Sequence, residues 1–251
     1  MKILFLHLSD AHLRDNTDIR LINMDGIVKS LSQIGKFDEC AIVFSGDVVN
    51  SGDKNAYVNA GRLVGYIAKN ISQKYINKKI VETLIVPGNH DNLVKNKNRD
   101  NFELESYYEK KEVDLKFDED LKQLSNFYRF ANRNKCFLKD KIIDVRKLKF
   151  GEFIIKVNLI NSAPFSLLGS GNRDKGMHYI PMLELQKLNI DMNQKYTISV
   201  IHHGPEWFSD GSKHKLYNML HESTDLLFVG HEHFSLNEDK TVNGNHIDIS
   251  S

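Results

Sequence analysis

The hydrophobic positions of this chain follow two periodicities. Short apolar runs rich in β-branched residues predict buried strands over residues 3–8, 41–44, 83–86, 153–160, 197–201 and 226–229. Apolar residues at helical spacing predict helices over 22–36, 53–75 and 117–134, and shorter ones over 182–188 and 215–220. Asp53 is the predicted cap of the second helix. Strands that alternate with helices indicate an α/β fold.

Five of the predicted strands run directly into short polar segments. In chain order these segments are Asp10-Ala-His12, Gly46-Asp47, Gly88-Asn89-His90-Asp91, His202-His203 and Gly230-His231-Glu232-His233. Six of the eleven histidines fall inside them. Because sites in α/β sheets are built at the carboxyl ends of the strands, the five segments are expected to meet at one edge.

Each segment alone has an ordinary structural explanation, since a single Asp after a strand is usually a turn residue or a helix cap. The combination of all five indicates a metal site instead. Asp and Asn offer hard oxygens, His offers nitrogens, and no thiolate takes part, which suits Mn, Fe, Zn or Ni. Two ions at a spacing of about 3.5–4 Å need one shared carboxylate.

The ordered pattern D-x-H, G-D, G-N-H-D, H-H and G-H-x-H resembles the calcineurin-like metallophosphoesterase superfamily, from Asp10 to His233. The resemblance implies a four-layer α/β/β/α sandwich of two mixed sheets flanked by helices. It also implies a single catalytic domain over residues 1–251. The expected cofactor is a pair of divalent ions, with Mn²⁺ as the first choice and Fe, Zn or Ni as alternatives.

The resemblance also assigns roles to single residues. One ion would be bound by Asp10, His12 and His233, the other by Asn89, His202 and His231, with Asp47 bridging the two. His90 would bind no metal and would face the leaving oxygen of the substrate. Asp91 has two interpretations: it orients or stabilises the His90 imidazole, or it caps a helix.

Two further segments have open interpretations. A charged helical insertion at about 92–141 either caps the active site or only supports the sheet from its surface. The segment 161–178 carries Arg173, Lys175 and His178, which either bind a substrate phosphate or belong to a plain surface loop. His203, the second residue of the His-His pair, is a further candidate for substrate binding.

The residues that depart from subfamily patterns favour a phosphodiester substrate. Protein serine/threonine phosphatases of this superfamily carry an Asp-Arg pair where this chain has Asn50 and Ser51, and a Glu where it has Asp91. Without that Arg the chain lacks a clamp suited to a dianionic phosphomonoester. The motifs look most like the class III cyclic-nucleotide phosphodiesterase and repair-nuclease branches.

The predicted function is therefore hydrolysis of phosphodiester bonds of a nucleotide or nucleic acid by a metal-activated water. One alternative is a nuclease module of a larger DNA-processing or defence protein, and another is a phosphomonoesterase. A binding module without chemistry is disfavoured because the predicted ligand set is intact.

Length, charge and cysteine content narrow the predicted class of protein further. At 251 residues the chain is long enough for one large core, and its net charge of +1 favours no class of partner. Cys40 and Cys136 lie outside the motifs and form no disulfide framework, and no membrane association is expected, so a cytoplasmic protein is predicted. The last residues, 245–251, read as a strand without a polar tail. We therefore expect further domains or subunits after Ser251 in a longer protein.

Overall fold

A computed structural model describes residues 1–15, 24–75, 82–93, 118, 120–136, 138, 141–166 and 174–232, and the backbone of 237–242 and 245–250. The smaller sheet contains three parallel strands in the order β1 (Ile3–Leu8), β2 (Glu39–Phe44) and β3 (Glu82–Ile85). The larger sheet comprises β4 (Ile143–Phe150), β5 (Phe153–Ile160), β6 (Tyr196–Ile201), β7 (Leu226–Val229), β8 (Asn237–Val242) and β9 (Asn245–Ser250). Its order is β4-β5-β6-β7-β9-β8, and the two outermost pairs are antiparallel.

Helices cover the outer faces of both sheets. The described α-helices are α1 (Met24–Ser30), α2 (Ala56–Lys74), α3 (Ser125–Arg133), α4 (Met182–Leu185) and α5 (Asp210–Ser223). Short 3-10 turns extend α1 and α4, and two more stand at Asn89–Asp91 and Pro205–Trp207. The first of these turns lies within the third strand-end motif, and the second follows the His202-His203 pair.

Three hydrophobic clusters separate four layers, because successive side chains of a strand face opposite sides of its sheet. On β2, Ile42 and Phe44 pack with α1, α2 and α3, whereas Ala41 and Val43 face the larger sheet. On the outer face of the larger sheet, residues of β6 and β7 pack with α4 and α5. The resulting α/β/β/α arrangement of two sheets flanked by helices confirms the predicted fold class, with the described strands of the smaller sheet all parallel.

The predicted elements are confirmed in kind, and most differences lie at their ends. The helix predicted over 22–36 is α1 followed by a 3-10 turn, and residues 16–23 lie outside the described residues. The helix predicted over 215–220 begins earlier, at Asp210. The Asp53 carboxylate accepts a hydrogen bond from the Asn55 amide (2.7 Å), and its carbonyl accepts one from the Tyr57 amide (3.3 Å), so Asp53 makes the capping contacts predicted for it. The regular helix begins at Ala56, and Asn55, the residue before it, makes no side-chain cap hydrogen bond.

The described part of the predicted insertion packs as a support. Phe127 and Phe130 of α3 enter the same core as α2, and the Asn126 side chain donates a hydrogen bond to the Gly52 carbonyl (3.1 Å). Residues 94–117 lie outside the described residues. The idea that the insertion caps the active site therefore stays a prediction.

Two further structural findings concern the cysteines and the helices. Both cysteines are buried and free. Among the described residues, none of the helices combines the length and the apolar character that a membrane crossing requires.

Candidate metal centre

Main-chain hydrogen bonds bring the strand-end segments together at one edge of the two sheets. Beyond the ends of β1 and β2, the Asp10 amide donates to the Gly46 carbonyl (3.2 Å) and the His12 amide to the Asp47 carbonyl (2.9 Å). From the larger sheet, the His231 amide donates to the Asp10 carboxylate (3.0 Å). Segments that are far apart in sequence therefore share one small volume.

Asp47 lies at the centre of this volume and is fully buried. Its Oδ1 accepts a hydrogen bond from the His90 amide (2.7 Å), which fixes the plane of the carboxylate. Its Oδ2 lies 3.4 Å from His202 Nε2 and 3.8 Å from His12 Nε2. Atoms that bind one metal ion at bonds of 2.0–2.2 Å stand roughly 3–3.5 Å apart, and the distance to His202 falls in this range. The distance to His12 is a few tenths of an ångström longer, and both are longer than an ordinary hydrogen bond.

The His202 ring is held in the orientation that a ligand needs. Its Nδ1 lies 2.8 Å from the Ser45 carbonyl, which can only accept, so the proton is on Nδ1. Nε2 is thereby turned towards the Asn89 Oδ1 (3.0 Å), and His231 Nδ1 approaches the same oxygen (3.2 Å). Such a partner on the far nitrogen is the usual support of a metal-binding histidine.

The geometry fits two ions on either side of Asp47. On one side, His12 Nε2 lies 3.7 Å from Asp10 Oδ1, and both residues face the Asp47 carboxylate. On the other side stand Asn89, His202 and His231. Potential ligand atoms of Asp10, Asp47 and His202 lie within 4.8 Å of one another. His233, the seventh predicted ligand, lies outside the described residues.

The backbone of the predicted ligands is unusual. Asp10, His12, Asp47 and His231 have φ angles of 52°, 45°, 49° and 74°, in the left-handed region. They are four of the seven non-glycine residues with positive φ in the described chain. Such conformations cost energy and persist where the surrounding structure enforces them, which is typical of functional sites.

Gly88 is required by the crowding around Asp47. A Cβ atom at this position would stand 2.6 Å from the Asp47 amide nitrogen and 2.7 Å from His202 Nε2. Those are the groups that hold and form the proposed metal site, so neither can move aside. The glycine of the third motif is thus explained by close packing.

The charges of the centre are coupled. Burial alone would raise the pKa of Asp47, but the neighbouring His202, His90 and His12 lower it below its ordinary value. Burial alone would likewise lower the pKa of His202, but the Asp47 carboxylate raises it. In the protein without metal, a proton on His202 therefore balances the buried carboxylate. A metal ion at Nε2 would replace that proton.

His90 stands at the edge of the centre, half-buried. Its ring lies perpendicular to that of His12, with centroids 4.5 Å apart. Its Nδ1 lies 2.9 Å from the Asn50 carbonyl, so Nδ1 carries a hydrogen and Nε2 is the nitrogen free to serve a substrate. This geometry agrees with the predicted role of His90, which stays a prediction.

The hypothesis that Asp91 orients the His90 ring is wrong, because the Asn50 carbonyl occupies that position. The buried Asp91 carboxylate accepts hydrogen bonds from the amides of Gly88 (2.9 Å) and Val49 (3.3 Å) and from the Tyr57 hydroxyl (3.0 Å). Burial and the charge of Asp47 raise the pKa of Asp91 to about 7. Asp91 therefore ties the second motif to the third and accepts from the Gly88 amide in a capping box, which agrees with its interpretation as a cap. Stabilisation of the His90 imidazole by its charge stays a prediction.

Direct substrate binding by His203 and His178 is contradicted by their burial, because neither has any exposed surface. Their ring centroids are 4.0 Å apart. Both contact Ser162: His203 through the serine hydroxyl (3.0 Å) and His178 through its carbonyl (2.8 Å). They pack behind the predicted ligand His231, whose ring centroid lies 4.6 Å from that of His203.

The other predicted substrate contacts have different outcomes. Lys175 is exposed, and its Nζ lies 5.7 Å from the centre of the Trp207 ring. That ring in turn contacts His231. Binding of a substrate phosphate by Lys175 stays a prediction. Arg173 lies outside the described residues. Sequence reasoning missed Trp207 altogether, although a tryptophan four residues after a His-His motif was a signal available in the sequence.

Comparison with known proteins agrees with this geometry. The family model described as calcineurin-like phosphoesterase matches residues 3–235, which includes all five strand-end segments. The chain belongs to the calcineurin-like phosphoesterase family. No curated protein matches the chain.

Membership in this family makes the chain a metal-dependent phosphoesterase, a hydrolase of phosphoric esters. The family generally binds two divalent ions, and the described residues offer ligand groups for them. Family membership at this level names neither the metal nor the ester.

Proposed function

We propose that this phosphoesterase hydrolyses phosphodiester bonds of a nucleotide or a nucleic acid with two Mn²⁺ ions. The observation that carries the proposal is the convergence of His12, Asp47 and His202 on one buried point beside His90. Bound there, the ions would activate a water molecule and neutralise charge on the phosphoryl oxygens.

The protein's own groups complete the reaction. The Asn50 carbonyl holds the His90 ring so that Nε2 is its only free nitrogen. In the imidazolium form, that nitrogen donates a proton to the leaving oxygen as its bond to phosphorus breaks. The oxygen of water forms the new bond to phosphorus, and the products are a phosphomonoester and an alcohol.

Diesters should be better substrates than monoesters. Position 51, next to the carbonyl that holds His90, is an exposed serine, so it provides no arginine clamp for a dianionic monoester. A diester carries one charge less and is served by the two ions alone. We expect kcat/KM for bis-nitrophenyl phosphate to exceed that for nitrophenyl phosphate under the same Mn²⁺ concentration and pH.

The Ser51→Arg variant is the matched test of this explanation. It should raise kcat/KM for the monoester relative to the diester, because it restores a charge beside the site. A clear monoester preference of the wild-type protein would favour the phosphomonoesterase alternative and leave the metal centre unaffected.

A basic groove supports the nuclease alternative. A groove of about 250 Å³ between α2 and α3 is lined by the three basic side chains Lys54, Arg129 and Arg133, and none of the described residues that line it is acidic. Tyr57 lines the same groove, and its hydroxyl binds Asp91, which braces the metal-site loops. A nucleic acid bound at the metal centre would be much longer than a cyclic nucleotide, and its phosphates suit such a groove.

Replacing the three basic residues of the groove by Gln should weaken DNA binding and make it less dependent on salt. Each lost phosphate contact lowers the slope of log K against log[salt] by about 0.7–0.9. Hydrolysis of bis-nitrophenyl phosphate should be unchanged, because none of the three residues is a predicted metal ligand or substrate contact.

The control for this variant removes the same charge elsewhere, by Gln at the exposed Lys69, Lys149 and Lys215. Equal effects of the two triple variants on DNA binding would show a non-specific charge effect. Loss of activity on the small diester would contradict the separation of groove and metal centre.

A further inference from the structure

Trp207 is the only tryptophan of the chain and is buried against a predicted metal ligand. Its ring is almost perpendicular (85°) to that of His231, with centroids 4.1 Å apart. Its Nε1 donates a hydrogen bond to Glu232 Oε1 (2.8 Å). Because an indole nitrogen can only donate and is buried here, the Glu232 carboxylate determines how the ring is turned.

The main chain of Trp207 joins a further loop to this pair. Its carbonyl accepts hydrogen bonds from the amides of Gly176 (2.9 Å) and His178 (3.1 Å). Its side chain lies below the Lys175 ammonium at 5.7 Å. One residue thus contacts the loops that follow β6 and β7 and the turn that precedes α4.

The support of His231 differs from that of His202. The His202 ring is fixed on its far nitrogen by the Ser45 carbonyl. Among the described residues, the His231 ring has a hydrogen-bond partner only on Nδ1, which faces Asn89. The remaining contacts of the ring are with aromatic side chains, and that with Trp207 has the shortest centroid distance.

We propose that Trp207 and Glu232 are a pair of positioning residues that fix the His231 imidazole for metal binding and hold the turn with Lys175 against the same centre. The proposal rests on the metal centre of the proposed function. Residues that orient a metal ligand usually contribute about 10–100-fold to metal affinity. Glu232 acts through the acceptor oxygen that it offers to the indole, so its charge is not required.

The test compares Glu232→Leu, which removes the acceptor, with Glu232→Gln, which keeps it. With Mn²⁺ as the probe in a calorimetric titration, Glu232→Leu should weaken one of the two binding steps by about 10–100-fold. Glu232→Gln should stay within about threefold of the wild-type protein. Trp207→Phe, which removes the donor of the same hydrogen bond, should resemble Glu232→Leu.

Glu206→Gln is the matched control, since Glu206 is exposed and stands in the same turn as Trp207. It should leave both binding steps unchanged. Wild-type affinity in Glu232→Leu would overturn the proposal. Equal weakening in Glu232→Gln and Glu232→Leu would also overturn it, because Glu232 would then act as a charge or a ligand.

A measurement on the wild-type protein covers the case in which Glu232→Leu fails to fold. Since Trp207 is the only tryptophan, all indole emission reports its contact with His231. We expect Mn²⁺ to change this emission saturably, with the midpoint of one calorimetric step. Mn²⁺ that binds without changing the emission would contradict this inference, whereas failure to bind Mn²⁺ would contradict the proposed function itself.

Discussion

Asp47→Asn should lose both metal ions and with them nearly all activity. The Asp47 carboxylate faces both His12 and His202 through one oxygen, at 3.8 Å and 3.4 Å. Asparagine has the same shape but no charge, and it would offer either a neutral oxygen or an amide hydrogen to the ions. We expect the affinity for each ion to fall by more than about 100-fold, beyond the usual effect of a residue that only orients a ligand.

The measurement is the metal content of the variant after dialysis against Mn²⁺. Asp53→Asn is the matched control, because Asp53 is an exposed aspartate of the segment after the second motif. It should keep the wild-type metal content. An Asp47→Asn variant that retains both ions would refute the bridging role.

His90→Ala should keep its metal content and lose about two to four decades of rate, the usual contribution of a positioned proton donor. The loss should be smaller for a substrate with a nitrophenolate leaving group, which needs no proton, than for one with an alkoxide. Equal losses for both leaving groups would contradict the role of His90 as proton donor.

His90→Asn separates the proton donor from the structural contact of this residue. The asparagine amide can still donate to the Asn50 carbonyl, as His90 Nδ1 does at 2.9 Å, but it has no group at the position of Nε2. We expect the variant to be as slow as His90→Ala. It should be at least as stable to thermal unfolding as His90→Ala, because the hydrogen bond to the Asn50 carbonyl is kept.

The strands and the metal ligands could be predicted because both depend on local patterns. An apolar run that ends at a Gly or an Asp defines a strand and the edge where its last side chain stands, as for Asp47 after β2. The strand β4 was missed because four of its eight residues are charged. It is a strand through its antiparallel pairing with β5, a contact that its own sequence does not encode.

The supporting contacts of the site could not be predicted, because they join segments that are distant in sequence. Asp91 was placed beside His90 as its sequence neighbour, but its carboxylate turns to Val49 and Tyr57, 42 and 34 residues away. His203 was predicted to bind substrate because it follows a ligand. In the fold, the alternation of side chains and the packing of Ser162 bury it completely.

The central claim is that two metal ions share Asp47, and anomalous diffraction from Mn²⁺-soaked crystals tests it most directly. Our account predicts two anomalous peaks about 3.5–4 Å apart, with the Asp47 carboxylate between them. His12 should lie beside one peak, and Asn89, His202 and His231 beside the other. A single peak, no peak, or a pair that does not share Asp47 would contradict the account.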